Sequence, residues 1–462
     1  MVIERLKNLQ GPSRRSFLRW STAVGAALAL DRSKVLNVIA DSAGSAMADT
    51  ASCAATNKSV HIVAGNGGFA WFQLLWPHVE IAQSNNQSFA YHAFGQGGLA
   101  SGSDKPLYLG PQAPWSTFGK TKFMTAMMAG QNETHTATPT SAASVGNNQS
   151  MLAVAAAIQR QTPSLLPVIG VTPLAFGNAQ GAPLPTTVGN ADGLVQLFNS
   201  AASRAILQAP EDSALFEAYY KAFLGLNKAA GRATELRGLR IGKQAANFLG
   251  KNLAAQLQPT AADLTRYGID GGTPTKISEI GKTLITAVKA FKLGLTQSVI
   301  LPAMRDDPHG AFGNMQNLQD TVTSLGKILD EFMNDAHTTP DPSCTSRMLS
   351  DTIVMTIHGD TPKDPTQASG WPDGTPDNSN WIFCMGNGYL KTGWFGQVKA
   401  NGNTDGWDPT SGNNMPGQSA NQTTASAGAA VAYAVAKGDL RRVQDFYNGP
   451  ALDGVINLNP AQ

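Results

Sequence analysis

Five stretches of the chain are continuously apolar or nearly so: Val60–Ala64, Leu165–Val171, Gln297–Leu301, Asp351–His358 and Trp381–Met385. Each runs into Gly, Pro, Asp or Asn, and short apolar runs bounded by turn residues are the signature of strands buried on both faces. Pro167 predicts an edge position or a strand start for the second run. Between the runs the period changes. Gln149–Gln161 is helical by composition and is ended by Pro163. Ile277, Ile280, Leu284, Ile285, Val288 and Phe291 form one stripe, with Gly294 as a fitting stop. Leu318, Val322, Leu325, Ile328, Leu329 and Phe332 form a second stripe, and Ala425–Lys437 is an alanine-rich helix. Pro210–Leu257 has helical spacing interrupted at Gly225 and Gly231. Strands alternating with helices predict an α/β sandwich with a mainly parallel central sheet and helices on both faces. It extends over residues 57–462 as one domain, with a mainly helical insertion near 192–293. The polar stretch 84–150 is expected to be a surface loop or partly disordered.

The first 48 residues stand apart from this pattern. Arg14 and Arg15 are followed by Phe17 and Leu18, then by the modest apolar run Trp20–Leu30. A paired arginine before a short apolar segment predicts a twin-arginine export signal, and with it the twin-arginine export machinery as partner and a periplasmic or envelope location. The run is too short to anchor the chain across a bilayer, so no transmembrane anchor is expected after processing. Small-x-small sites at Ala27-Leu28-Ala29 and Ala46-Met47-Ala48 leave the cleavage point open. Thr50-Ala51-Ser52-Cys53 resembles a lipobox without its leucine.

Composition narrows the function classes. The net charge of +2 gives no electrostatic case for nucleic acid. There is no GxGxxG and no Walker lysine. The three cysteines, Cys53, Cys344 and Cys384, contain no CxxC spacing. In an oxidising compartment they allow one disulfide and one remaining thiol.

Candidate chemistry gathers where strands end. Asp306, Asp307 and His309 follow the Gln297–Leu301 strand, and His358 and Asp360 close the Asp351–His358 strand. Ligands of open α/β sheets bind at the carboxyl ends of strands. Asp307 and His309 alternate on a loop and reach one ion, and His358 with Asp360 does the same from the next strand. This set suits a single divalent Zn, Ca or Mg ion. The plain alternatives are a helix cap for the first pair and a strand-end turn for the second. Asp373 and Asp377 lie on the loop that follows. Glu133-Thr134-His135 sits near several hydroxyls without a nucleophile elbow. Gly65-Asn66-Gly67-Gly68 after the first strand either lets backbone approach a ligand or simply turns the chain. Trp371, Trp381, Trp394 and Trp407 suit either stacking on a sugar or core packing.

The order of these elements resembles a known family. A helix ending at Leu293-Gly294-Leu295 precedes a strand, then Asp307-Pro308-His309-Gly310, then a long helix. Asp351-Thr352-Ile353-Val354 leads to Gly359-Asp360-Thr361-Pro362, a turn-rich loop closes on Trp381, and Gly386-Asn387-Gly388 ends the next strand. Over residues 275–400 this is similar to a family of bacterial twin-arginine-exported proteins related to the alkaline phosphatase and sulfatase superfamily. The resemblance implies an alkaline phosphatase-like sandwich and a metal-dependent hydrolase of phosphate or sulfate esters. The family's Asp-Thr-His-Gly matches Asp307-Pro308-His309-Gly310. Its Ser-Glu-Phe-Gly-Arg-Thr-Pro falls on Thr356 to Pro362, with Ile357 for Glu, His358 for Phe and Asp360 for Arg. Its Asp-His-Trp falls on Ser379-Asn380-Trp381, and the acid after the first strand's glycines is replaced by Phe69-Ala70. The implied metal site is therefore incomplete, and a non-catalytic envelope protein that binds a partner or polysaccharide stands as the alternative.

Overall fold

In a computed structural model the protein is described over residues 53–66, 98–99, 108–109, 114–133, 136–160, 162, 164–198, 252–303, 315–359, 380–398 and 404–460. The export signal, with Arg14, Arg15, Phe17 and Leu18, lies outside them, as do Pro210–Lys251, Asp307, His309, Asp360, Asp373 and Asp377. The chain divides into two compact units, one of Met1–Met47 with Asp192–Gln258, the other of Ala48–Ala191 with Pro259–Gln462. Within the first, Asn252 caps the short helix Leu253–Leu257.

The second unit holds an eight-stranded sheet. Its strands are β1 (Lys58–Ala64), β2 (Met124–Met128), β3 (Leu166–Val171), β4 (Thr186–Val188), β5 (Thr296–Pro302), β6 (Ile353–Gly359), β7 (Trp381–Met385) and β8 (Gly393–Phe395). Their spatial order is β8-β2-β7-β6-β1-β5-β3-β4. Only β7 opposes its neighbours β6 and β2; all other pairs in this sheet are parallel. The mainly parallel α/β expectation therefore holds, with one antiparallel strand added.

Helices cover both faces. Helix α1 (Met151–Gln159) packs with α4 (Ala420–Val435). The α1 side chain Gln159 donates to Ser59 Oγ at 3.1 Å, so this layer lies on the face of β1 that carries Ser59 and His61. Helix α2 (Thr275–Lys292) packs with α3 (Met315–Thr338). It buries the predicted stripe Ile277, Ile280, Leu284, Ile285, Val288 and Phe291. Gly294, at φ 69°, takes the left-handed conformation that ends α2, and its N–H donates to Phe291 O at 2.9 Å.

Two sequence expectations change. Pro167 is the second residue of β3, which lies between β5 and β4; the proline marks a strand start and not an edge. Its missing N–H is tolerated there because the ladder begins with Leu166 paired to Thr296 and resumes with Val168 paired to Ser298. The polar stretch 84–150 contains β2, whose five residues are all buried between β7 and β8. Its run Met-Thr-Ala-Met-Met is short and lies in polar surroundings, so a window long enough to see the loop averages the strand away.

Cys53 and Cys344 form a disulfide across 291 residues, and Cys384 is free and buried. The bridge ties the segment before β1 to the hairpin of Pro340–Asp341 and Cys344–Met348. Cross-links over long loops restrict the unfolded chain, so Cys344→Ser is expected to cost about 3 kcal/mol of stability. Urea unfolding of the processed protein with and without reductant measures this. An unchanged midpoint on reduction would mean that the bridge contributes nothing.

Candidate metal site at the carboxyl edge of the sheet

The central strand β1 is flanked by β5 and β6, and all three run in parallel. Val63 pairs with Pro302 on one side and with His358 on the other. One row across the sheet thus joins the last residue of β5, the end of β1 and the end of β6. The Asp307/His309 loop leaves β5 at this level, and Asp360 follows β6. Their parent strands are two positions apart in the sheet, roughly 10 Å at the usual strand spacing. This adjacency is created by pairing across 239 and 295 residues, the separations of Ser59 from Ser298 and of His61 from Thr356.

His358 is the described member of the sequence-predicted site. It is 1% exposed, and neither ring nitrogen has a hydrogen-bond partner among the described residues. Burial alone pulls its pKa down to about 4, so the imidazole is neutral at neutral pH. A neutral imidazole with open lone pairs is the form that binds metal. It also fits a core position, since the resembling motif has Phe here. His61, on the same face of β1, was not singled out by sequence reasoning. Its Nδ1 lies 2.7 Å from Thr356 Oγ1, while Nε2 has no partner among the described residues. Burial, and then the nearby His358, lower its pKa to about 3. The signal was available: a histidine inside Val60-His61-Ile62-Val63-Ala64 is a polar group in a strand covered on both faces.

A wider polar stripe runs along this face. Ser59 Oγ donates to Ser298 Oγ at 3.0 Å, and Gln159 Nε2 reaches Asn57 O at 2.9 Å and Gln297 O at 3.1 Å. Cys384, paired with Thr356 across β6 and β7, joins the same face. Burial pushes its thiol far up, which leaves it protonated and inert as a nucleophile. Among the described residues no group of three His, Cys, Asp or Glu side chains is placed to hold a metal ion.

The remaining candidates divide between structural and undescribed roles. Asn380 donates from Nδ2 to Gly359 O at 2.8 Å and accepts from Trp381 N–H at 2.9 Å. Its amide thus clamps the ends of β6 and β7. Ile357 is buried in the core. A Cβ at Gly65 would meet Ala137 O at 2.5 Å, so this glycine admits the chain's own backbone, which favours the turn reading there. Glu133 accepts from Ser141 N at 2.6 Å and Ala142 N at 2.7 Å, and His135 lies outside the described residues. Trp381, Trp394 and Trp407 are buried; Trp381 and Trp394 meet edge-to-face at 4.7 Å, and Trp407 Nε1 donates to Met128 O at 3.0 Å. Core packing is thus their role, and Trp371 is undescribed.

Comparison with known families gives one match. Residues 11–30, which include Arg14, Arg15, Phe17 and Leu18, match the TAT (twin-arginine translocation) pathway signal sequence. No curated protein matches the chain. The protein is therefore exported across the cytoplasmic membrane by the twin-arginine machinery, to the periplasm or envelope. No helix among the described residues is long and apolar enough to cross a membrane.

Proposed function

We propose that this exported α/β protein is a metal-dependent hydrolase of phosphate or sulfate esters with an alkaline phosphatase/sulfatase-like fold. The observation that supports it is the single row Pro302–Val63–His358, which brings the ends of the two strands that precede the candidate loops to either side of β1. Asp307 and His309, after β5, would hold the ion, with Asp360 and His358, at the end of β6, as additional ligands. The open nitrogens of the buried His358 fit such a role. The mixed oxygen and nitrogen donors suit zinc best, with calcium or magnesium requiring a more oxygen-rich set. When bound, the ion would supply Lewis-acid polarisation of the ester and a water of lowered pKa. His358, kept neutral by burial, adds no anionic charge to such a site.

Metal analysis of the processed, exported protein tests this. One equivalent of divalent metal is expected, falling to background in Asp307→Ala, with turnover of aryl phosphate or aryl sulfate reduced at least ~100-fold, as for loss of a metal ligand. Substoichiometric metal that Asp307→Ala leaves unchanged would sink the hydrolase reading. The non-catalytic reading has its own support in Asn380 and Ile357. These residues occupy positions where the resembling family carries ligands, and here they serve strand-end clamping and core packing. Metal-free, inactive but fully folded protein is its expected signature.

A further inference from the structure

On the α2 side of the sheet a cleft of about 280 Å³ opens at the carboxyl ends of β3 and β5. Its floor is apolar and buried, built from Val171, Ile280 and Leu301, and the buried Thr283 sets a hydroxyl beside them. Its rim is polar and carries Thr172, Asn190 and Lys276. The rim also includes Gly189, where a Cβ would meet nothing within 4 Å. Position 189 therefore has open space for a side chain.

We propose that this cleft binds a single neutral sugar ring. Three features point to that class. The volume lies just below the range of drug-sized pockets, which admits one ring and excludes a chain of them. Among the described lining residues the only ionic side chains are one lysine, Lys276, and one glutamate, Glu279, so the lining itself carries no net charge. The division into apolar floor and polar rim matches a pyranose, which presents a C–H face on one side and hydroxyls around its edge. The hydroxyls of Thr172 and Thr275 at the rim, with Thr283 below, supply both donors and acceptors for those of the sugar. The position, beyond the carboxyl ends of parallel strands, is where α/β sheets accept ligands. Among the described residues of the proposed metal site, His358 does not line the cleft.

The test uses the processed, exported protein and a panel of methyl hexosides at millimolar concentration, read by saturation-transfer NMR. Transfer to the ring C–H protons of at least one hexoside is expected. Gly189→Trp, at a lining position where a Cβ meets nothing within 4 Å, should weaken that binding at least about tenfold, or ~1.4 kcal/mol. Thr283→Val, which keeps the shape and removes the hydroxyl, should weaken it several-fold. Both variants are checked for an unchanged melting temperature. Absence of transfer from every hexoside would overturn the proposal, as would undiminished binding by folded Gly189→Trp. Binding that survives chelator treatment is expected; its loss with the metal would place the sugar elsewhere and overturn the cleft assignment without touching the hydrolase reading.

Discussion

Asp341→Ala is expected to destabilise the protein by about 4 kcal/mol, the cost of leaving one member of a buried ion pair alone. Lys58, the first residue of β1, and Asp341 are each about 1% exposed, and Nζ lies 2.6 Å from Oδ1. Burial pulls the Lys58 ammonium below its usual value, and Asp341 opposes this. Burial pushes the Asp341 carboxyl up, but Lys58 and the hydroxyls of Thr352 and Ser343 hold it net below the usual carboxylate range. With Asp341 gone, Lys58 Nζ keeps, among the described residues, only Ser343 Oγ at 2.9 Å. Lys437 adds to the penalty, because its charge also acts on Lys58's surroundings and its own pKa is already lowered to about 8 by burial. Urea unfolding of Asp341→Ala against the parent reads the loss. The double change Lys58→Met with Asp341→Leu should recover most of it, since an apolar pair needs no compensation. A loss below ~1 kcal/mol for the single variant would show the pair to be solvated.

Acid should be nearly as damaging. Burial holds the folded-state pKa values of His61 and His358 down to about 3 and about 4, below the ordinary imidazole value of about 6.5. The unfolded chain therefore takes up two protons that the folded protein refuses. Their stabilisation is fully present above pH 6.5 and is lost as pH falls toward the folded values. Between pH 8 and pH 5 the two together remove about 4 kcal/mol, roughly half from each. His358→Phe, which places an apolar ring of similar size in the core, should flatten this slope by about 2 kcal/mol relative to the parent. Comparing the two proteins isolates the histidine from the carboxylates that titrate in the same range. Parallel stability–pH curves would mean that His358 is already satisfied when folded.

Much of the sheet was legible because its central strands are covered on both faces, and such strands are dominated by apolar residues. β1, β3, β5, β6 and β7 are all visible this way, as are α2 and α3 from their stripes. β2 and β8 were not, because three to five apolar residues inside polar loops carry too little signal. The direction of β7 was also hidden, since apolar runs do not encode polarity. In the candidate site, sequence position placed His358 at the end of a strand. It did not reveal that His61 shares its face, nor that Asn380 is spent on the backbone of Gly359. The buried Lys58–Asp341 pair was equally unreadable: a lysine before an apolar run is ordinarily a solvated strand end.

By itself, the sequence determined export and fold class. The paired arginines and apolar segment are read locally, and periodicity is a local property of the chain. Tertiary structure alone decided which strands are neighbours, which cysteines pair, and that the ends of β5, β1 and β6 form one row. Those outcomes depend on pairing between residues hundreds of positions apart, where burial and hydrogen bonding select one arrangement out of many that local pattern allows.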